Sequence, residues 1–378
     1  MYASGDCSNR RNFVRSLLGL SLATLLPNKL FTQAAEIPSP AILAVYKKSL
    51  VMDSLCGLFA DPNPNPTPEL VARIRASGIS GINNTVSEPE FETTLANIAT
   101  VESWVEQYPD ALMIIRRYSD IARAKQENKV GIIHGFQYTS FFEDKPERIE
   151  LFRNFGVRIM QLTYNRHSGF GDGCLEPKDS GLTTAGVAAV KKMNELGVAV
   201  DLSHSGYRTT ADGIKTSTKP VLISHSGCAA VYAHPRNKPD DVLKLLADRG
   251  GYFGVYLMPY LCASPKVPTL ADVLDHMTHA INVCGADHVG VGADNPIEKI
   301  SLTPAQKAAF EAEIAKRKQL GIGAPGEDRL PYVPDLSGPD HMLLIADGLS
   351  RRGQSAAVIE KVLGSNFQRV LGEIWGTA

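Results

Sequence analysis

Three short segments carry side chains able to share one reaction site: Asp201-Leu202-Ser203-His204, Ser224-His225-Ser226 and Gly292-Ala293-Asp294. Neutral imidazoles bind zinc well, and zinc with an open position brings its bound water to a near-neutral pKa. Two histidines and an aspartate meeting at one point therefore suit metal-assisted hydrolysis. A lone histidine after a strand is more often a hydrogen-bonded structural residue. Here two follow successive apolar runs and the aspartate follows the last, so convergence is the stronger reading.

Those segments need elements to position them. Apolar, β-rich runs recur at Leu50–Met52, Ile79–Ile82, Val130–Ile133, Val157–Leu162, Val198–Leu202, Pro220–Ile223, Tyr252–Leu257 and His288–Gly292. Amphipathic helical patterns lie between them, among them Thr183–Leu196, Asp240–Arg249 and Leu270–Cys284. Strand-helix units alternating over about 250 residues predict an α/β fold, a single (β/α)8 barrel whose chemistry sits at the carboxyl ends of the strands. No linker divides them, so residues 36–378 read as one domain. Thr303–Leu320 reads as an inserted exposed helix, followed by the Gly/Pro-rich stretch Gly321–Pro339. A lid, a solvated extension and a dimer contact are all open for it.

Composition narrows the function. With 39 Lys and Arg against 40 Asp and Glu, the formal charge of −1 gives no general attraction to nucleic acid or anionic lipid. At the amino end, Asn9-Arg10-Arg11-Asn12-Phe13 precedes a short apolar run, Ser16 to Pro27, and small residues at Ala34 and Ala35. This predicts a twin-arginine signal over residues 1–35, recognised by that export machinery, and a periplasmic product. Its removal leaves Cys56, Cys174, Cys228, Cys262 and Cys284. Five is odd, so at least one thiol stays unpaired in a monomer.

Beyond these features, the sequence resembles the renal, or membrane, dipeptidase family of the amidohydrolase superfamily. Carrying the resemblance are Gly156 to Thr163, Gly181-Leu-Thr183, Met193 to Gly197, Asp201 to His204, Pro220 to Ser226, Pro235-Arg236-Asn237, Asp287 to Gly292 and Leu363 to Arg369, in family order. It implies a (β/α)8 barrel, often a homodimer, that hydrolyses dipeptides with a pair of zinc ions. His204, His225, Arg236 and Asp294 match the family pattern.

Other positions depart from it. The family's first-strand D-x-H-x-D is here Asp53-Ser54-Leu55-Cys56-Gly57, with neither metal ligand; its bridging glutamate is Gln137; its L-T-H is Leu162-Thr163-Tyr164. The expectation is at most one zinc per chain, held by His204 and His225 with Gln137, with no metal as the open alternative. The resemblance further implies that Asp294 moves protons and that Arg236 holds a ligand carboxylate. Tyr164 stands where an oxyanion donor would be, and Tyr260 lines the ligand pocket. Cys56 beside the lost ligands could serve as a thiolate ligand; the simpler readings are a buried structural Cys56, an Asp294 that orients His225, and an Arg236 ion-paired to Asp240 or Asp241. Two functions remain in competition: a hydrolase of dipeptides or small amides bearing a free carboxylate, and a non-peptidase that transforms or binds a periplasmic small molecule such as a natural-product or siderophore precursor.

Overall fold

A computed structural model describes residues 38–377 except 62, 63, 143, 320 and 322. The expected signal over residues 1–35 lies outside the described residues. The eight apolar runs become eight parallel strands: β1 (Met52–Asp53), β2 (Gly81–Thr85), β3 (Val130–Phe136), β4 (Val157–Gln161), β5 (Ala199–Asp201), β6 (Leu222–Ser226), β7 (Tyr252–Val255) and β8 (Val289–Val291), each paired with the next in chain order. The ends of the sheet meet where the Ser54 amide donates to the Val291 carbonyl (2.9 Å) and Asn295–Pro296 pairs with Cys56–Gly57. Gly292 leaves room for Ser54 and for β6, because a Cβ there would fall 2.8 Å from Ser54 Oγ and 1.9 Å from the Ser224 carbonyl oxygen. A short strand absent from the sequence reading, Leu112–Ile114, pairs with the first half of β3, whose second half pairs with β4.

Some helices between the strands start or end at residues that cap them. Thr183 accepts from the Gly186 amide to start the helix Thr184–Leu196, and Gly197 ends it in the left-handed region at φ 64°. One face of the carboxyl-terminal helix Asn366–Trp375 packs Phe367, Val370, Leu371 and Ile374 against Met52, Ile133, Ile159, Ala199, Leu222 and Tyr252. The amino-terminal half of the barrel is thus filled with apolar side chains, and polar groups collect at the other end.

Candidate active site

The ends of β3, β5, β6 and β8 bring Gln137, His204, His225 and Asp294 together. The two imidazoles stand 5.0 Å apart between centroids at 60°, roughly the spacing of rings sharing one tetrahedral zinc at ~2.0–2.1 Å bonds. Tyr164, three residues past β4, stacks on His204 at 4.2 Å and on Tyr138 at 4.3 Å. The Gln137 amide nitrogen lies 3.3 Å from His225 Nε2 and 3.5 Å from Asp294 Oδ1.

Hydrogen bonds fix both tautomers. Ser224 Oγ donates to Asp201 Oδ2 (2.5 Å), so it accepts from His225 Nδ1 (2.8 Å), and the Nε2 lone pair faces Gln137. A guanidinium only donates, so His204 Nε2 accepts from Arg236 (3.1 Å) and His204 Nδ1 donates to Asn165 Oδ1 (2.7 Å). Burial, reinforced by the nearby Arg236 charge, pushes both imidazoles well below their ordinary pKa. Both are neutral.

Asp294 is held in the left-handed region (φ 56°), unusual for a residue other than glycine, with its amide donating to the Leu55 carbonyl (2.7 Å). Burial raises its carboxyl to about 7, against the opposing pull of Arg236 and the Gln137 hydrogen bond. Part of its surface still meets solvent, as do Gln137 and Tyr164. Arg236 is 1% exposed and donates to the Ser203 carbonyl (2.5 Å) as well as to His204. Asp240 instead meets His279 and Asp241 meets Tyr207, so neither expected acid is Arg236's hydrogen-bonding partner.

Tyr260 stacks on His234 at 4.6 Å, and His234 accepts from the Arg236 amide while donating to the Pro325 carbonyl (2.8 Å). The inserted segment therefore reaches the site. Its helix, Pro304–Gln319, sets the Arg317 guanidinium 5.8 Å from the Tyr164 ring centroid, and Arg317 pairs with Glu327. Among the readings open for the insertion, a cover over these residues is the arrangement observed. A cavity of about 160 Å³ lined by Pro89, Tyr138, Tyr164 and His167 opens beside it.

Other histidines make hydrogen bonds outside this cluster: His276 meets the Leu261 carbonyl (3.0 Å), His279 Asp240 (2.8 Å) and His167 Asp172 (2.7 Å). The sequence reading gave no role to Asp201, Ser203 and Ser224, which orient His225, or to Asn165, which orients His204. The repeated Ser-His pairs after β5 and within β6 were the available signal. All five described cysteines are unpaired.

The family description that matches this sequence, over residues 76–305, is membrane dipeptidase, peptidase family M19. The chain belongs to this family. It is 30% identical over 297 residues to dipeptidase verJ of Clonostachys rogersoniana, covering 77% of this chain and 68% of that protein. It is 28% identical over 287 residues to dipeptidase aclJ of Aspergillus oryzae, covering 74% of this chain and 61% of the relative. An amidohydrolase from Pseudomonas aeruginosa superposes with a TM-score of 0.77 at 30% identity, over 89% of this chain and 99% of that one. The probable dipeptidase PvdM of the same organism shares the fold at a TM-score of 0.72 and 19% identity, over 89% and 98% of the two chains.

Membrane dipeptidases are metal-dependent, typically with zinc, but the donor set here does not fit a two-zinc centre. Leu55 and Gly57 offer no side-chain donor, Gln137 brings no charge, and both histidine Nε2 lone pairs are engaged. A lone pair cannot serve a guanidinium N–H and a metal at once.

Proposed function

We propose that this membrane dipeptidase family member is an exported hydrolase of dipeptides or related small amides with a free carboxylate, working with a reorganised site. The observation that carries the reading is Asp294, a buried carboxyl near neutrality beside Gln137 and under the influence of Arg236. In this scheme Asp294 takes a proton from water as the water oxygen bonds to the scissile carbonyl carbon. The tetrahedral oxyanion meets the Tyr164 hydroxyl. The proton then passes from Asp294 to the leaving nitrogen as the C–N bond breaks. Arg236 uses N–H groups beyond its two protein bonds to hold the free carboxylate, and Tyr260 walls the pocket.

A panel of dipeptides, including some with D-residues at the carboxyl end, tests this. Release of free amino acids by the unsubstituted protein and none by Asp294→Asn is expected. A second reading, binding or conversion of another small acid, is favoured by the missing donors at Leu55 and Gly57. Calorimetric binding of a dipeptide without turnover would select it. We further propose twin-arginine export to the periplasm, loss of residues 1–35, a homodimer and no nucleic-acid partner. Fractionation of cells with Arg10 and Arg11 changed to lysine tests the route.

A further inference from the structure

We propose that Asp53, Cys56 and His341 form a mononuclear zinc-type metal site, separate from the His204–His225 position. One donor atom from each residue lies within 4.8 Å of the others, and the three residues are 0%, 2% and 2% exposed. They come from the end of β1, the short strand that extends it and the first turn of the helix His341–Arg351.

The hydrogen bonds show why a cation belongs there. His341 Nδ1 is 2.9 Å from the Gly338 carbonyl oxygen, which can only accept, so Nδ1 carries the hydrogen in a neutral ring. Nε2 then turns its lone pair toward Asp53 Oδ2, 3.1 Å away. Two lone pairs at that distance repel unless a proton or a metal lies between them. A metal has a third donor to hand. Cys56 Sγ is a soft ligand whose thiol makes only a weak contact, at 3.3 Å, with the neighbouring Gly57 carbonyl.

The surroundings are those of an oriented ligand set. Asp53 Oδ1 accepts from the Leu55 and Ala293 amides at 3.1 and 2.9 Å, which aims Oδ2 at His341, and Gly338 fixes the imidazole tautomer. A tetrahedral zinc with ~2.0–2.2 Å bonds to nitrogen and oxygen and ~2.3 Å to sulfur spaces its donors by about 3.3–3.6 Å. Asp53 and His341 already stand near that separation, and Cys56 needs an adjustment on the order of 1 Å or slightly more. Coordination displaces the thiol proton and any proton shared by Asp53 and His341, and water completes the fourth position. The segment from 53 to 57 thus keeps donors at 53 and 56, while its 55 and 57 positions carry none.

The site stands independently of the hydrolase reading, and metal content and ligand type test it without an activity assay. The full chain, purified from zinc-supplemented cells, is expected to hold about one zinc per chain, with one sulfur neighbour in X-ray absorption. After exchange to cobalt, a thiolate-to-cobalt absorption band should appear. Cys56→Ala and His341→Ala should each lower zinc affinity tenfold or more, whereas His225→Ala should retain the metal. Absence of both bound zinc and the cobalt band overturns the proposal, as does zinc with no sulfur neighbour that is lost in His225→Ala. If the ligand variants fail to fold, the sulfur neighbour in the unsubstituted chain decides.

Discussion

Asp294 joins two properties that pull against each other. As a proton acceptor it must be ionised, so kcat/KM is expected to rise through a limb near pH 7, set by the carboxyl that burial raises to about 7. Stability should move in the opposite direction. Between the ordinary carboxyl range and pH 7 the folded chain holds a proton that the unfolded chain has lost, so the Asp294 contribution is full at low pH and declines as pH rises through 7. Asp294→Asn keeps the shape of the neutral acid and cannot ionise. It should abolish turnover yet raise Tm by about 2 °C or more at pH 8, with the difference vanishing toward pH 4 in thermal melts. Equal Tm shifts at both pH values would remove burial as the cause. Arg236 tests geometry rather than charge. Arg236→Lys keeps the cation but loses the planar fork, so affinity for a carboxylate ligand, or kcat/KM, should fall roughly tenfold or more, about 1.4 kcal/mol. Part of that loss will come from His204, whose tautomer Arg236 also sets.

Among the elements, the inserted segment is the one whose placement decides access. Arg317 sits over the Tyr164 ring, pairs with Glu327 and is held above its ordinary pKa, burial being outweighed by Tyr164, Glu327 and Tyr138. Arg317→Ala should therefore raise amide exchange in residues 321–327 and increase KM with a smaller change in kcat. An unchanged exchange pattern would show that the helix is anchored elsewhere. The sequence carried little signal for this docking, since Phe310 and Ile314 are the helix's large apolar side chains and His234 meets Pro325 across 91 residues. The barrel was far more legible. Buried parallel strands need continuous apolar runs, and capped helices announce their ends, as at Thr183 and Gly197. Leu112–Ile114 escaped because three residues give no period, and one edge of β3 is divided along its length between two partners. At the site, residue types and strand ends foretold that His204, His225 and Asp294 would meet, and the family resemblance added Gln137 and Tyr164. Which lone pair faces which donor was not foretold, because the Arg236–His204 and Asp53–His341 contacts link distant segments.

At the scale of the whole molecule, the barrel keeps the family's frame while its polar end carries a different balance of charge. Asp53 and Asp201 are already buried near the half-buried Asp294, and each of the three has its pKa raised by desolvation. A second cation position would have to be rebuilt as a unit, because a lone new ligand adds desolvation cost without the ion that offsets it. Space is not the obstacle at Gly57, where an added Cβ would meet its nearest atoms at 3.9–4.0 Å. Gly57→Asp alone should therefore fold but melt at lower temperature, most clearly at high pH where the new carboxylate ionises, and should gain no dipeptidase activity. Leu55→His alone places a polar ring at a buried apolar position and should do no better. Only Leu55→His, Gly57→Asp and Gln137→Glu together supply the missing histidine, the missing aspartate and a charged bridge. With zinc present that triple variant should exceed the unsubstituted chain in bound metal and regain part of the lost Tm. Elemental analysis and thermal melts of the four proteins decide it: the unsubstituted chain should hold fewer than two zinc ions. Two tightly bound ions in it, or a full dipeptidase from either single substitution, would mean that the missing ligands are replaced by residues outside this set.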